Sequence, residues 1–162
     1  MGNVHRVESR EGSRTIVAVA TPKEMRLIPR FLDREDYDKV VITGVGGTNV
    51  VRSLRAYPQD THIINIGFAG SATIPKGEAV RVRQVSLYHP ECEYDEPTMV
   101  IGPEGVHCYT SCDFIGDKER EDSVFDMELA FIAALGFLKV DSIKVVSDSI
   151  DYEEYEQTIS TL

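Results

Sequence analysis

Four carboxylic acids stand out by where they fall in this chain. Asp126 and Glu128 lie where an apolar helical pattern begins, and Asp148 lies just past the C-terminal end of an apolar, β-branched strand. Glu24 lies early in another helix, directly after the first strand. In open α/β sheets ligands bind at the C-terminal edge of the strands. An acid at a helix start and an acid at a strand end therefore face one crevice. Carboxyl groups in distinct environments can divide proton transfer, one donating and another accepting.

The elements that must position these acids are legible as patterns. The stretch VFDMELAFIAALGFLKVDSIKVVSDSID occupies residues 124–151. In it Met127, Ala130, Phe131, Ala134, Leu135 and Leu138 recur at helical spacing, which predicts a helix over 127–138. A strand is expected over 142–146. Upstream, TIVAVA at 15–20 is a continuous apolar run, the mark of a buried strand. Thr21 suits a helix N-cap and Pro22 a first helical position, with Pro29 placed to end or kink that helix. Strands are expected over 37–43 and 62–66, the first followed by a helix over 48–57. Each strand enters a glycine-rich turn, at 44–47 and 67–70, where backbone can approach a ligand closely. Neither turn matches the dinucleotide fingerprint, and there is no Walker lysine–serine pair. Residues 78–87 alternate imperfectly, and the phase shift near Gln84 predicts a bulge. Short strands are expected over 99–101 and 106–110, polar loops over 88–97 and 114–123. A last helix over 152–162 carries Tyr155, Ile159 and Leu162 on one side. Strands alternating with helices predict an α/β fold, a central mixed twisted β-sheet flanked by helices. Length predicts a single domain over 1–162, with residues 1–14 a loose arm or an edge strand.

Composition narrows the function. The chain has 162 residues, 42% hydrophobic and 27% charged, as expected of a globular protein with a real core. Its net charge of −10 repels phosphate backbones and argues against nucleic acid as a partner. A nucleoside carries no phosphate and is not excluded. The apolar runs are too short to span a bilayer, and the polar N-terminal stretch has no signal-peptide core, so a cytoplasmic protein is expected. Cys92, Cys108 and Cys112 are an odd count, which argues for reduced thiols rather than a disulfide framework. His107 beside Cys108 has no further ligands at zinc-site spacing. No metal and no cofactor are expected.

Five motifs in order carry a family resemblance: IVAVATPKEM, VVITGVGGTNV, IINIGFAGSATIPKGEAV, VFDMELAFIAAL and IKVVSDSID. Together they resemble the purine nucleoside phosphorylase/nucleosidase superfamily. The nearest branch is the methylthioadenosine/S-adenosylhomocysteine nucleosidases, with futalosine hydrolase a neighbour. The resemblance implies that Glu24 activates water and that Asp148 is the general acid at the purine N7, positioned by Ser147. It implies that Met127 and Glu128 hold the ribose, Glu128 accepting from its hydroxyls. Phe114, with Ile115 beside it, would stack on the base, and Ala69 and Gly70 would lie near the nucleoside through their backbone. The chemistry suits these residue types. Cleaving a ribosidic bond builds positive charge on the sugar and negative charge on the leaving base. One acid protonates the base, one carboxylate takes the water's proton, and a third stabilises the cationic sugar.

The sequence also departs from the family. Phe68 replaces the small hydroxyl residue of the Gly-x-Ala-Gly segment, which alters that corner of the pocket. The family's phosphate-binding arginines have no counterpart, and Thr21-Pro22-Lys23 stands where a phosphorylase has its phosphate loop. A mid-chain helix and part of the C-terminal helix look missing, leaving a pocket that is more open or completed by a partner subunit. The leading expectation is hydrolysis of a purine nucleoside, a 5′-thio-substituted adenosine, by a homodimer. The alternatives are futalosine hydrolysis, phosphorolysis, or a nucleoside-binding protein without turnover.

Overall fold

The computed structural model describes residues 14–91, 97–114 and 116–161. Strand β1 (Thr15–Val19) is fully buried and is followed by a 3-10 helix, Pro22–Arg30. Then come β2 (Lys39–Ile42), α1 (Gly47–Leu54), β3 (His62–Gly70) and β4 (Ala79–Leu87). They are followed by β5 (Met99–Val100), β6 (Val106–Thr110) and β7 (Ser123–Asp126). Helix α2 (Leu129–Ala134), β8 (Lys139–Asp148) and α3 (Tyr152–Ser160) complete the order.

The eight strands of the described residues form one mixed sheet, ordered β2-β1-β3-β7-β6-β4-β5, with β8 paired to both β3 and β4. β8 runs parallel to β3 and antiparallel to β4, while β7 meets β3 antiparallel at a single position, Gly70 opposite Phe125. The circuit β3-β8-β4-β6-β7 thus closes on itself. Closure draws the ends of β3, β7 and β8 together, so Gly70, Asp126 and Asp148 share one rim.

Side-chain alternation sends β1 residues to two separate cores. Ile16 and Ala18 join Ile63, Val50, Leu54, Leu129 and Ile132 beneath α1 and α2. Val17 and Val19 join Ile64, Ile66, Phe68, Leu27, Ile143, Val145 and Ile159 beneath the 3-10 helix and α3. Burial of aliphatic side chains at about 25 cal/mol per Å² supplies the drive for both.

Several boundaries differ from the sequence reading. The apolar lead-in before Met127 is itself a strand, β7, so α2 starts only at Leu129. The helix stops after one and a half turns because Gly136 takes φ +82°, and Leu138, read as part of its apolar face, is 68% exposed. β8 extends three residues beyond expectation at its start and runs two further at its end, so Asp148 is the strand's last residue. The segment 67–70 is strand, not turn, because it pairs with β8 throughout. The bulge predicted near Gln84 is present as a register shift between Val82 and Gln84. The N-terminal arm (1–14) falls outside the described residues except for Arg14, and Cys92 and Leu162 fall outside them too. Among the described residues no helix is long and apolar enough to cross a membrane.

Candidate active site

A cavity of about 320 Å³ opens at the rim where β3, β7 and β8 end. Glu24, Asp148, Ala69, Gly70, Phe114, Met127, Glu128 and Ser147 all line it. Eight of the nine residues singled out in the sequence are therefore brought together; the ninth, Ile115, lies outside the described residues.

Glu24 reaches the cavity because the 3-10 helix begins at Pro22, turning its third residue back onto the chain that precedes it. Its Oε1 accepts from the backbone N–H of Ala20 (2.9 Å) and Thr21 (3.1 Å), and its Oε2 from that of Phe68 (2.8 Å). An ionised carboxylate offers about four acceptor positions. Three are filled by fixed backbone donors, which leaves one for a water or hydroxyl in the cavity. Burial raises the Glu24 pKa above the usual carboxylate value, opposed by the ammonium of Lys144 and those three N–H groups.

Glu128 stands at the N-cap of α2, and its Oε2 accepts from Gly46 N–H (2.8 Å) in the turn before α1. Most of its acceptor capacity still faces the cavity. Burial and the neighbouring Asp126 push its pKa up to about 7. Asp148 is 1% exposed. Its Oδ2 accepts from the Ser147 hydroxyl (2.7 Å), its Oδ1 from the N–H groups of Ile150 (2.8 Å) and Asp151 (3.2 Å). Burial raises its pKa even against these three donors, which favours the protonated acid.

Beneath the acids lies a residue the sequence reading passed over. Lys144, in mid-β8, is 1% exposed and pairs with Asp126 (Nζ to Oδ2, 2.9 Å). Asp126 also accepts from the Thr110 hydroxyl and from Leu129 N–H (2.8 Å). These contacts depress the Asp126 pKa and raise that of Lys144, so this pair is ionised. The signal was available: a lysine inside the apolar strand IKVV is rarely buried without a partner. Asp126, singled out only as a helix-start acid, is that partner.

Tyr152 and Tyr155, on α3, cover one side of the cavity and meet Phe114 at ring-centroid distances of 5.3 and 5.4 Å. Burial, then Glu24 and Glu128, push the Tyr155 phenol up to about 12, which keeps it neutral. Phe68 lines the cavity but also joins the core with Ile66 and Val145, so the departure from a hydroxyl residue fills apolar space there. Ala20, Thr21, Val45, Asp113, Phe125 and Ile150 also line the cavity. His107, considered for its neighbour Cys108, spends both ring nitrogens on Ser86 (2.8 Å) and Gln84 (3.1 Å).

No family model and no curated protein matches the sequence. Solved structures do match the fold. The nucleosidase MTAN of Chlamydia trachomatis superposes with a TM-score of 0.69 at 23% identity, covering 92% of this chain and 91% of that one. Futalosine hydrolase of Helicobacter pylori gives 0.70 at 12% identity over 92% and 91%. The MTA/SAH nucleosidase of Streptococcus pneumoniae in complex with 8-aminoadenine gives 0.68 at 19% identity over 90% and 92%. The α/β fold implied by the five sequence motifs is thereby borne out.

Proposed function

We propose that this chain hydrolyses the N-glycosidic bond of a purine nucleoside, with Glu24 as the base that activates water and Asp148 as the acid that protonates the departing base. The observation that carries this reading is that three carboxyl groups with different partners, Glu24, Glu128 and Asp148, converge on one cavity. Asp148, buried with a raised pKa, is suited to donate a proton to the base. Glu128, with acceptor capacity to spare, is suited to bind the ribose hydroxyls and to favour positive charge developing on the sugar. Glu24 has one acceptor position open for water. Phe114 supplies an apolar face for the base and Met127 a wall for the sugar.

Charge supports hydrolysis over phosphorolysis. Among the described residues the lining holds five carboxylic acids, Glu24, Asp113, Asp126, Glu128 and Asp148, and no Lys, Arg or His. Lys144 lies behind them, already paired with Asp126. A phosphate dianion would meet repulsion from several sides. The same repulsion disfavours an anionic 5′ group and supports a neutral one, as in a 5′-thio-substituted adenosine. Futalosine hydrolysis is the second reading, favoured by the fold likeness to the Helicobacter enzyme. A homodimer belongs to the proposal: Val45, at the cavity edge, and nearby-in-sequence Ile42 are 47% and 45% exposed.

The test is purified protein against a panel of nucleosides, with and without phosphate, scored for released base. Release without phosphate is expected. Release that requires phosphate and yields a sugar phosphate overturns the hydrolase reading, and binding without release makes the chain a nucleoside-binding protein. Sedimentation that finds only monomer at high concentration removes the dimer.

A further inference from the structure

β3 carries two glycines, Gly67 and Gly70, within four residues of a strand whose every residue is buried. Buried strands favour β-branched and aromatic side chains, and glycine weakens them. Turn geometry does not account for these two. The glycines with left-handed φ are Gly44, Gly46, Gly77, Gly105 and Gly136, so any residue could adopt the backbone found at 67 and 70. What both positions require is the absence of a Cβ.

A Cβ built on Gly67 would overlap Glu24 Oε2, and its next neighbours would be Glu24 Cδ at 3.3 Å and Lys144 Nζ at 3.5 Å. A Cβ built on Gly70 would lie 2.8 Å from Asp148 Oδ1 and 3.5 Å from its Cγ. The pairing of β3 with β8 explains the second case. Ala69 stands opposite Val146, then the register skips Ser147 and sets Asp148 opposite Gly70. The skipped Ser147 is the residue whose hydroxyl donates to Asp148.

We propose that Gly67 and Gly70 are positioning residues that seat the two reacting carboxyl groups, Gly67 making room for Glu24 and Gly70 for Asp148. That these two groups react rests on the hydrolase reading, but the seats themselves are a property of the fold. At Gly67 the vacant side-chain volume lets the Glu24 carboxylate lie flat against β3. There it takes the Phe68 N–H and comes under the influence of Lys144. At Gly70 the vacancy lets Asp148 turn back toward Ile150 and Asp151. In both cases the obstructing atoms at short range belong to one movable side chain and not to backbone. A methyl group should therefore displace the carboxyl group and leave the strand in place.

The experiment uses Gly67→Ala and Gly70→Ala in the full chain without ligand, and follows side-chain carboxyl carbons by NMR across pH. Gly67→Ala should move the titration of Glu24 by about one pH unit or more and leave that of Asp148 unchanged; Gly70→Ala should do the reverse. Titrations that stay where they are in the unaltered chain would overturn the proposal. A denaturation cycle covers the case of poor folding. The penalty of Gly67→Ala should largely vanish in a Glu24→Ala background, and that of Gly70→Ala in a Asp148→Ala background. A double variant that remains as destabilised as the glycine variant shows instead that the strand needs glycine for itself. Where base release is measured, Gly67→Ala should lower turnover by the factor expected for loss of a general base, about 100-fold; unaltered turnover would again overturn the seat. If the unaltered chain releases base from no nucleoside, the hydrolase reading fails, while the titrations and the cycle still decide the seats.

Discussion

The paired strands β3 and β8 bury charge at both ends, and the two ends are built differently. At the N-terminal end one carboxylate, Asp141, meets two basic side chains: His62 Nε2 at 2.6 Å and Arg81 Nη2 at 3.6 Å. Toward the C-terminal end, from mid-β8, one ammonium, Lys144, is felt by three carboxyl groups, Asp126, Glu128 and Glu24. Among the described residues only Asp126 forms a close ion pair with it. The first arrangement has no carboxylate left over. The second has two, both raised in pKa, and both open to the cavity. Buried ions are costly unless paired, so surplus carboxyl groups that persist beside a cavity are candidates for work on a ligand.

The comparison breaks most sharply at Lys144. Lys144→Met should cost about 3–5 kcal/mol in urea unfolding at neutral pH, because Asp126 becomes a buried charge without its partner. A cost under about 1 kcal/mol would mean that the ammonium does not hold the acids together. Next comes pH. Folded Glu128 keeps its proton up to about 7, whereas unfolded it ionises near 4.5. The folded chain therefore binds more protons between those values. Its contribution to stability is full below pH 4.5 and is lost as pH rises through 7, on the order of 3 kcal/mol. Glu128→Gln should flatten that part of the stability curve; an unchanged slope would show that another group titrates there.

Turnover gives the third effect. Asp148→Asn keeps shape and removes the transferable proton, so base release should fall by about 100-fold or more while nucleoside binding survives. In the unaltered chain activity should fall as pH rises through the raised pKa of Asp148, and also as pH falls through the raised pKa of Glu24. The smallest effect belongs to the other end of the sheet. Asp141→Asn should cost about 1 kcal/mol, the net worth of a hydrogen bond, and leave turnover as it was. A loss of turnover comparable to that of Asp148→Asn would erase the distinction between the two ends.

Local pattern was enough for much of this molecule. The apolar run at 15–20, the Thr21-Pro22 helix start and the acids Glu24, Glu128 and Asp148 could be read in one dimension. Each depends on neighbours only a few residues away. Helix length was read less well: apolar spacing continued to Leu138, but Gly136 had already ended α2 and left Leu138 exposed. In the segment 67–70 the glycines signal a turn by local rule. Its pairing partner lies more than seventy residues on, and no local rule contains that partner.

The order of residues alone sets which acids are available, the strand and helix starts that carry them, and an alternation that builds two cores. It could not assign states to the acids. Asp126 and Glu128 are two residues apart and chemically alike, yet Asp126 is held ionised by Lys144 while Glu128 is pushed up to about 7. That difference arises from the closure of β3, β8, β4, β6 and β7. Closure brings Lys144 within 2.9 Å of one acid and leaves the other facing the cavity. Burial and charge act through space, over distances that the fold sets and the order of residues does not.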